Sequence, residues 1–222
     1  MTACDSLKAH SNHAAALIVQ GKQHEAFEEL QLAIKDAFSS CSWHDDAFPV
    51  ETTGHPSFEV MVLTGPTNTS DDTSDTLFRW PIISLAPNTR HDENAALQDL
   101  CSMTTACVVA LFNMGLCCHL SLQERDLPAR EHDALLAQAE RLYLKGIELG
   151  VHCNVAVLNL ALSANLMDIS FACGDLSRLH IWHAYFTHEM KLLPPNIPAN
   201  IFSAFCRAHF LFSGTIVAAR AA

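Results

Sequence analysis

Thirteen histidines and nine cysteines are the side chains here with the most chemistry to offer. The densest grouping is His180, His183 and His188 beside Trp182, Tyr185 and Phe186. On a helix, positions 180 and 183 share a face, so two imidazoles there would bind zinc if a third ligand came from another helix. No H-E-x-x-H pattern accompanies them, since His188 precedes Glu189 at the wrong offset. Core or interface histidines are the expected role, with a metal-assisted hydrolase built on His180 and His183 as the alternative. Cys117, Cys118 and His119 are consecutive, and successive helical residues diverge by about 100°, which keeps them from holding one ion together. Nucleophile and phosphate motifs are absent from the sequence: no G-x-S-x-G, P-loop, G-x-G-x-x-G or supported S-x-x-K occurs. His44, Asp45, Asp46 and Glu51 lie in a polar connection with nothing to raise a carboxylate pKa. No catalytic residue, cofactor or metal is expected, and the chain is not expected to be an enzyme.

The cysteine count is odd, two of the nine are adjacent and no C-x-x-C occurs, so neither a disulfide framework nor a zinc ribbon is supported. An intracellular, cytoplasmic setting is expected. The N-terminus lacks a basic n-region, and its apolar run from Ala14 to Val19 is too short for a signal h-region. The stretch nearest to a membrane span, Ile201 to Ala219, carries Arg207 and His209 in its middle, and a central Arg costs at least ~2.5 kcal/mol on insertion. That stretch is expected to be a buried helix, with no membrane insertion. Twenty-four acids against 13 Lys and Arg leave a net charge of −11, which lacks the cationic footprint nucleic acid requires.

The elements that would position these residues are helices. Half of the 222 residues are hydrophobic, enough to bury a substantial core in one domain. Leu17, Ile18 and Val19 close a first helix, Gly21 allows a turn, and Ala26, Phe27, Leu30, Ala33, Ile34 and Ala37 recur at spacings of three and four on a second. Such a hairpin cannot bury both faces alone, so further pairs should stack on it. Ala95 to Leu122 and Glu131 to Leu149 form the next pair around Pro128. Asn154 to Ala172 and Leu176 to Leu193 follow around Gly174, the latter stopped by Pro194 and Pro195, and a last helix runs from after Pro198 to about Arg220. Seven helices result. Between the first pair and the rest, residues 40–91 hold more than half of the prolines, and Phe58, Val60 and Val62 alternate there while Phe78, Trp80, Ile82 and Ile83 form an aromatic and β-branched run. A small β-hairpin-like insertion leaning on the helices is expected.

Aligned on their turns, the pairs share a register. Asn12 lies nine residues before Gly21, and Asn165 nine before Gly174; Gly21 is followed by Ala26, Leu30 and Ala33, and Gly174 at the same offsets by Leu179, His183 and Phe186. The middle pair carries Asn113 and Gly115, then Ala139, Tyr143 and Gly146. This spacing resembles the tetratricopeptide (TPR) repeat, in which small residues pack the helices of a hairpin closely. The likeness covers residues 3–39, 105–150 and 157–190, although the usual Trp of the first helix and the Pro at the repeat end are missing. The long insertion, Ala139 to Gly150 and the tail from Phe210 to Ala222 are similar to an expanded family of TPR-like proteins in diatoms, a likeness that implies a fold and no activity. The expectation is an all-α, TPR-like right-handed stack of antiparallel helix pairs spanning 1–222, packed through Gly21, Ala26, Leu30, Ala33, Ala139, Tyr143, Gly146 and Gly174.

The resemblance also implies a place for Asn12, Asn113 and Asn165. In TPR domains that row faces a concave groove, where an amide can bond the backbone of an extended peptide through both donor and acceptor. Alternatively, each amide satisfies a neighbouring helix or caps a turn. A protein-interaction module binding a neutral or basic polypeptide is the expected function, because no clamp of lysines lies near the asparagines and the chain is acidic. A structural subunit of an obligate assembly, using the apolar last helix, is a further alternative, and the oligomeric state stays open. Thr69 and Ser70, in a hydroxyl-rich acidic stretch, are candidate phosphorylation sites or part of a plain solvated loop.

Overall fold

Thr2 opens α1 (Ala3–Val19) with a capping box: its hydroxyl accepts from the Asp5 N–H at 3.1 Å, and its own N–H donates to the Asp5 carboxylate at 3.0 Å. The helix ends in a Schellman turn, with the Lys22 N–H bonded to the Leu17 carbonyl and the Gly21 N–H to that of Ile18, both at 3.0 Å. The same closure recurs at the end of α5 (Ala156–Ala172), where the Asp175 N–H reaches the Ser170 carbonyl at 2.8 Å and the Gly174 N–H that of Phe171 at 3.0 Å. Gly21 at φ +75° and Gly174 at φ +69° supply the left-handed residue each turn needs. A Cβ at either would meet nothing within 4 Å, so these two glycines serve the turns and not the close packing expected of them. Asp175 then caps α6 (Leu176–Met190) by accepting from the Arg178 N–H at 3.0 Å.

The structure is a computed structural model and describes residues 2–40, 60–63, 77–85, 95–124, 127–150 and 155–221. Among these, seven helices and a two-stranded sheet are present: α1, α2 (Gln23–Ser40), β1 (Val60–Val62), β2 (Ile82–Ser84), α3 (Ala95–Glu124), α4 (Ala129–Gly150), α5, α6 and α7 (Ala199–Ala221). The chain is predominantly helical. Helix α1 packs on α2, α3 on α4 and α5 on α6, and the pairs join through α2 and α1 against α3 and through α4 against α5, with α7 laid on α6.

Close approach is set by small residues. Ala26, Leu30, Ala33, Ala139 and Tyr143 are all buried. A Cβ on Gly146 would stand 2.8 Å from the Leu162 side chain of α5, and one on Gly115 only 2.5 Å from the Tyr143 ring of α4. Both glycines are therefore the seats of large neighbours. Helix α3 runs through the middle, and the stretch from Thr105 to His119 is buried at nearly every position, which explains why its apolar residues show no single stripe.

Two boundaries differ from expectation. Helix α6 stops at Met190 rather than Leu193, because Pro194 already biases the residue before it away from the helical region and the turn is made earlier. Helix α7 is not the buried helix expected of Ile201 to Ala219. Only 22% of its apolar window is buried, against 78% for Ser102–Gln123 of α3. It inserts Ile201, Phe205, Ala208 and Phe212 and leaves Phe202, Phe210, Leu211 and Val217 exposed. By length and composition, both windows are sufficient to cross a membrane.

Candidate functional site

Strand β2 pairs antiparallel with β1 in the register Val60–Ser84, Met61–Ile83 and Val62–Ile82. The ladder is continued by the Leu63 N–H bonding to the Pro81 carbonyl at 2.9 Å, a bond that is not reciprocated because Pro81 has no N–H to return. In an antiparallel pair, alternate residues turn their backbone groups to opposite edges. With β1 on one edge, the N–H and C=O of Ile82 and Ser84 face the helices.

Asparagine side chains meet them. The Ile82 N–H donates to Asn113 Oδ1 at 3.0 Å and Asn113 Nδ2 donates to the Ile82 carbonyl at 2.7 Å. Asn12 treats Ser84 in the same way, at 3.1 and 3.0 Å. Asn165 does so with Phe78, at 2.8 and 3.3 Å, and its amide also donates to the Tyr143 hydroxyl at 3.1 Å. Each amide thus stands in for one residue of a neighbouring strand, offering an acceptor to an N–H and a donor to a C=O. The three candidate asparagines are brought together along one line, and what they hold is residues 77–85 of the same chain.

The spacing of the held residues follows the spacing of the helices. Positions 78, 82 and 84 differ by even numbers, which keeps all three on one edge of an extended segment. Helix α1 packs directly on α3, whereas α5 packs against α4. At about 3.3 Å per residue, the two-residue step from Ile82 to Ser84 covers about 7 Å and the four-residue step from Phe78 about 13 Å. The segment therefore runs from the third pair to the first, against the chain order of the pairs.

Two side chains anchor it. Phe78, 2% exposed, stacks on Phe205 of α7 at 4.9 Å between centroids and meets Phe112 of α3 and its neighbour Trp80 edge-on at 6.1 and 5.3 Å. Ile82 is fully buried. Arg79 points outward and donates to Gln123 Oε1 at 3.1 Å.

The histidines of α6 are used differently. His183 Nε2 lies 2.9 Å from Ser213 Oγ of α7, and its ring stacks on His209 at 5.0 Å. Among the described residues no group of three or more His, Cys, Asp or Glu is gathered for a metal, so His180 and His183 acquire no third ligand there. Burial, and then the adjacent His209, lower the pKa of His183 from 6.5. The unfolded chain consequently binds the proton first as pH falls, and stability drops below pH 6.5, whereas above it the two states match. Thermal melts should shift downward between about pH 7.5 and about pH 5.5, and His183→Gln should shrink that shift.

Other buried polar pairs escaped the sequence reading. His119 Nε2 sits 3.2 Å from Asp168 Oδ2, joining α3 to α5, and Asn159 Nδ2 donates to the buried Glu189 at 3.0 Å. A cavity of about 590 Å³ lies between the α1–α2 turn, α3 and α4. Two thiols line it, and burial pushes Cys118 up to about 11 and Cys117 higher still, which leaves both protonated and poorly nucleophilic. Thr69 and Ser70 lie outside the described residues, as does most of the 40–91 insertion. No family model, no curated protein and no solved structure matches this chain.

Proposed function

We propose that the chain is a TPR-like, right-handed helical stack that acts as an intracellular protein-interaction module, binding an extended polypeptide by its main chain. One observation carries the reading: asparagines at corresponding places on α1, α3 and α5 each engage a backbone N–H and C=O of one extended segment. Recognition of this kind depends on backbone geometry first, with side chains adding selectivity. The resident segment, Leu77 to Leu85, is apolar with one cation, Arg79, which fits the preference of an acidic protein for neutral or basic polypeptide. Cys4, Cys107, Cys117, Cys118, Cys173 and Cys206 are free thiols, as suits a reducing compartment.

Peptides selected from a displayed library on the full chain test this. They should lose at least roughly tenfold in affinity, the equivalent of ~1.4 kcal/mol, when Asn12, Asn113 and Asn165 are replaced together by alanine. Selected peptides that bind the triple variant equally well would contradict the reading.

A second reading, a subunit of an obligate assembly, is favoured by α7, where Phe210 is 72% and Val217 68% exposed beside Phe202 and Leu211. Sedimentation velocity separates the two: a concentration-independent oligomer that dissociates in Phe210→Glu supports assembly, and a monomer supports the module alone.

A further inference from the structure

We infer that residues 77–85 act as an internal competitor in the groove, and that the external ligand is an extended peptide sharing their pattern: an aromatic residue, a β-branched aliphatic four positions later, and a small residue two beyond it. This rests on the peptide-binding reading above and specifies its ligand and its regulation.

The pattern comes from what each position meets. The first holds Phe78 between Phe205 and Phe112, a slot shaped for a ring. Position 82 is fully enclosed, and Ser84 is 4% exposed with its hydroxyl making no hydrogen bond among the described residues, so enclosure there favours a small side chain. Arg79 is exposed and Ile83 half-buried, so these two positions are free to vary, whereas Pro81 is buried and Trp80 packs against the Phe78 ring. The amides of Asn12, Asn113 and Asn165 bond main-chain atoms only, and those atoms are the same in any polypeptide. A site that grips its resident this way discriminates little between a segment in cis and one in trans with the same three anchors. Being on the same chain, the resident competes at an effective concentration well above that of a free peptide. The ligand's apparent affinity is then reduced by the fraction of molecules in which the groove is open.

The probe is a fluorescent synthetic peptide of sequence LFRWPIISL, titrated into the full chain. Phe78→Ala weakens the resident and empties the ring slot, so it should bind the peptide roughly 100-fold tighter than wild type, and a peptide with Ala in place of its Phe should not gain. Equal affinity for wild type and Phe78→Ala would overturn the competition. If library-selected peptides nevertheless need the asparagines, the peptide-binding reading survives that result; if no peptide binds either protein, both fail.

A second measurement needs no variant. Excess unlabelled peptide added to isotope-labelled wild-type chain should shift the amide resonances of Phe78, Ile82 and Ser84 toward free-peptide positions. Unchanged resonances at saturating peptide would mean that residues 77–85 are a permanent part of the core and would overturn the inference.

Discussion

Phe78→Ala should destabilise the fold by about 3–5 kcal/mol, the usual cost of truncating a buried aromatic side chain, and for a chain of this size that is a fall in melting temperature of roughly 6–20 °C. The ring is 2% exposed and touches residues of α3 and α7 that are far apart in sequence. Its loss opens a cavity at the place where the extended segment, the central helix and the last helix meet. Phe205 loses its stacking partner, and the α7 end should loosen first. Denaturant unfolding followed by far-ultraviolet circular dichroism reads the effect. A loss below about 1 kcal/mol would mean that the surroundings collapse into the space or that the ring is not held as described.

Asn113→Leu should be comparably damaging, for a different reason. Leucine has almost the shape of asparagine but leaves the N–H and the C=O of Ile82 without partners in a fully buried position. Each orphaned backbone group costs about 1–3 kcal/mol, so the sum is about 2–6 kcal/mol. The same substitution at Asn12 should cost less, because that residue is only partly buried. Asn113→Asp separates polarity from shape: it keeps an acceptor for the Ile82 N–H but turns a carboxylate oxygen toward the Ile82 carbonyl that Nδ2 now approaches at 2.7 Å. It should therefore destabilise as well. Because Asn113 and Phe78 hold one segment, the double variant Phe78→Ala with Asn113→Leu should lose less than the sum of the singles.

Much of this was legible in the sequence, for physical reasons. Periodicity and turn residues placed the helix pairs to within a few residues, because Gly21 and Gly174 each close a helix that cannot end as it does without a left-handed residue. The nine-residue offset from Asn12 to Gly21 and from Asn165 to Gly174 put those amides at matching heights on their helices. Phe78, Trp80, Ile82 and Ile83 were readable as extended chain. What the sequence did not disclose is that the extended run and the asparagine row belong to one another. They are 31 to 87 residues apart along the chain, and no local pattern couples a side-chain amide to a distant backbone. The apolar character of the run reflects burial against helices, which composition alone does not distinguish from burial in a sheet.

The last helix misled for a related reason. Its apolar residues suggested full burial, but α7 packs on α6 and α5 through one face only, and Phe202, Phe210, Leu211 and Val217 remain outside. Hydropathy reports how apolar a helix is and not how many partners it finds. The histidines show the converse: His180 and His183 look like metal ligands in sequence, and His183 is stacked on His209 between α6 and α7 in space.

The most direct test of the account is amide hydrogen exchange at Phe78, Ile82 and Ser84, whose N–H groups donate to Asn165, Asn113 and Asn12. All three should be protected in the wild-type chain, and Asn113→Leu should deprotect Ile82 well beyond any change in the amides of α1. Exchange of the three at unstructured rates in wild type, or protection of Ile82 that is indifferent to the loss of the Asn113 amide, would contradict it.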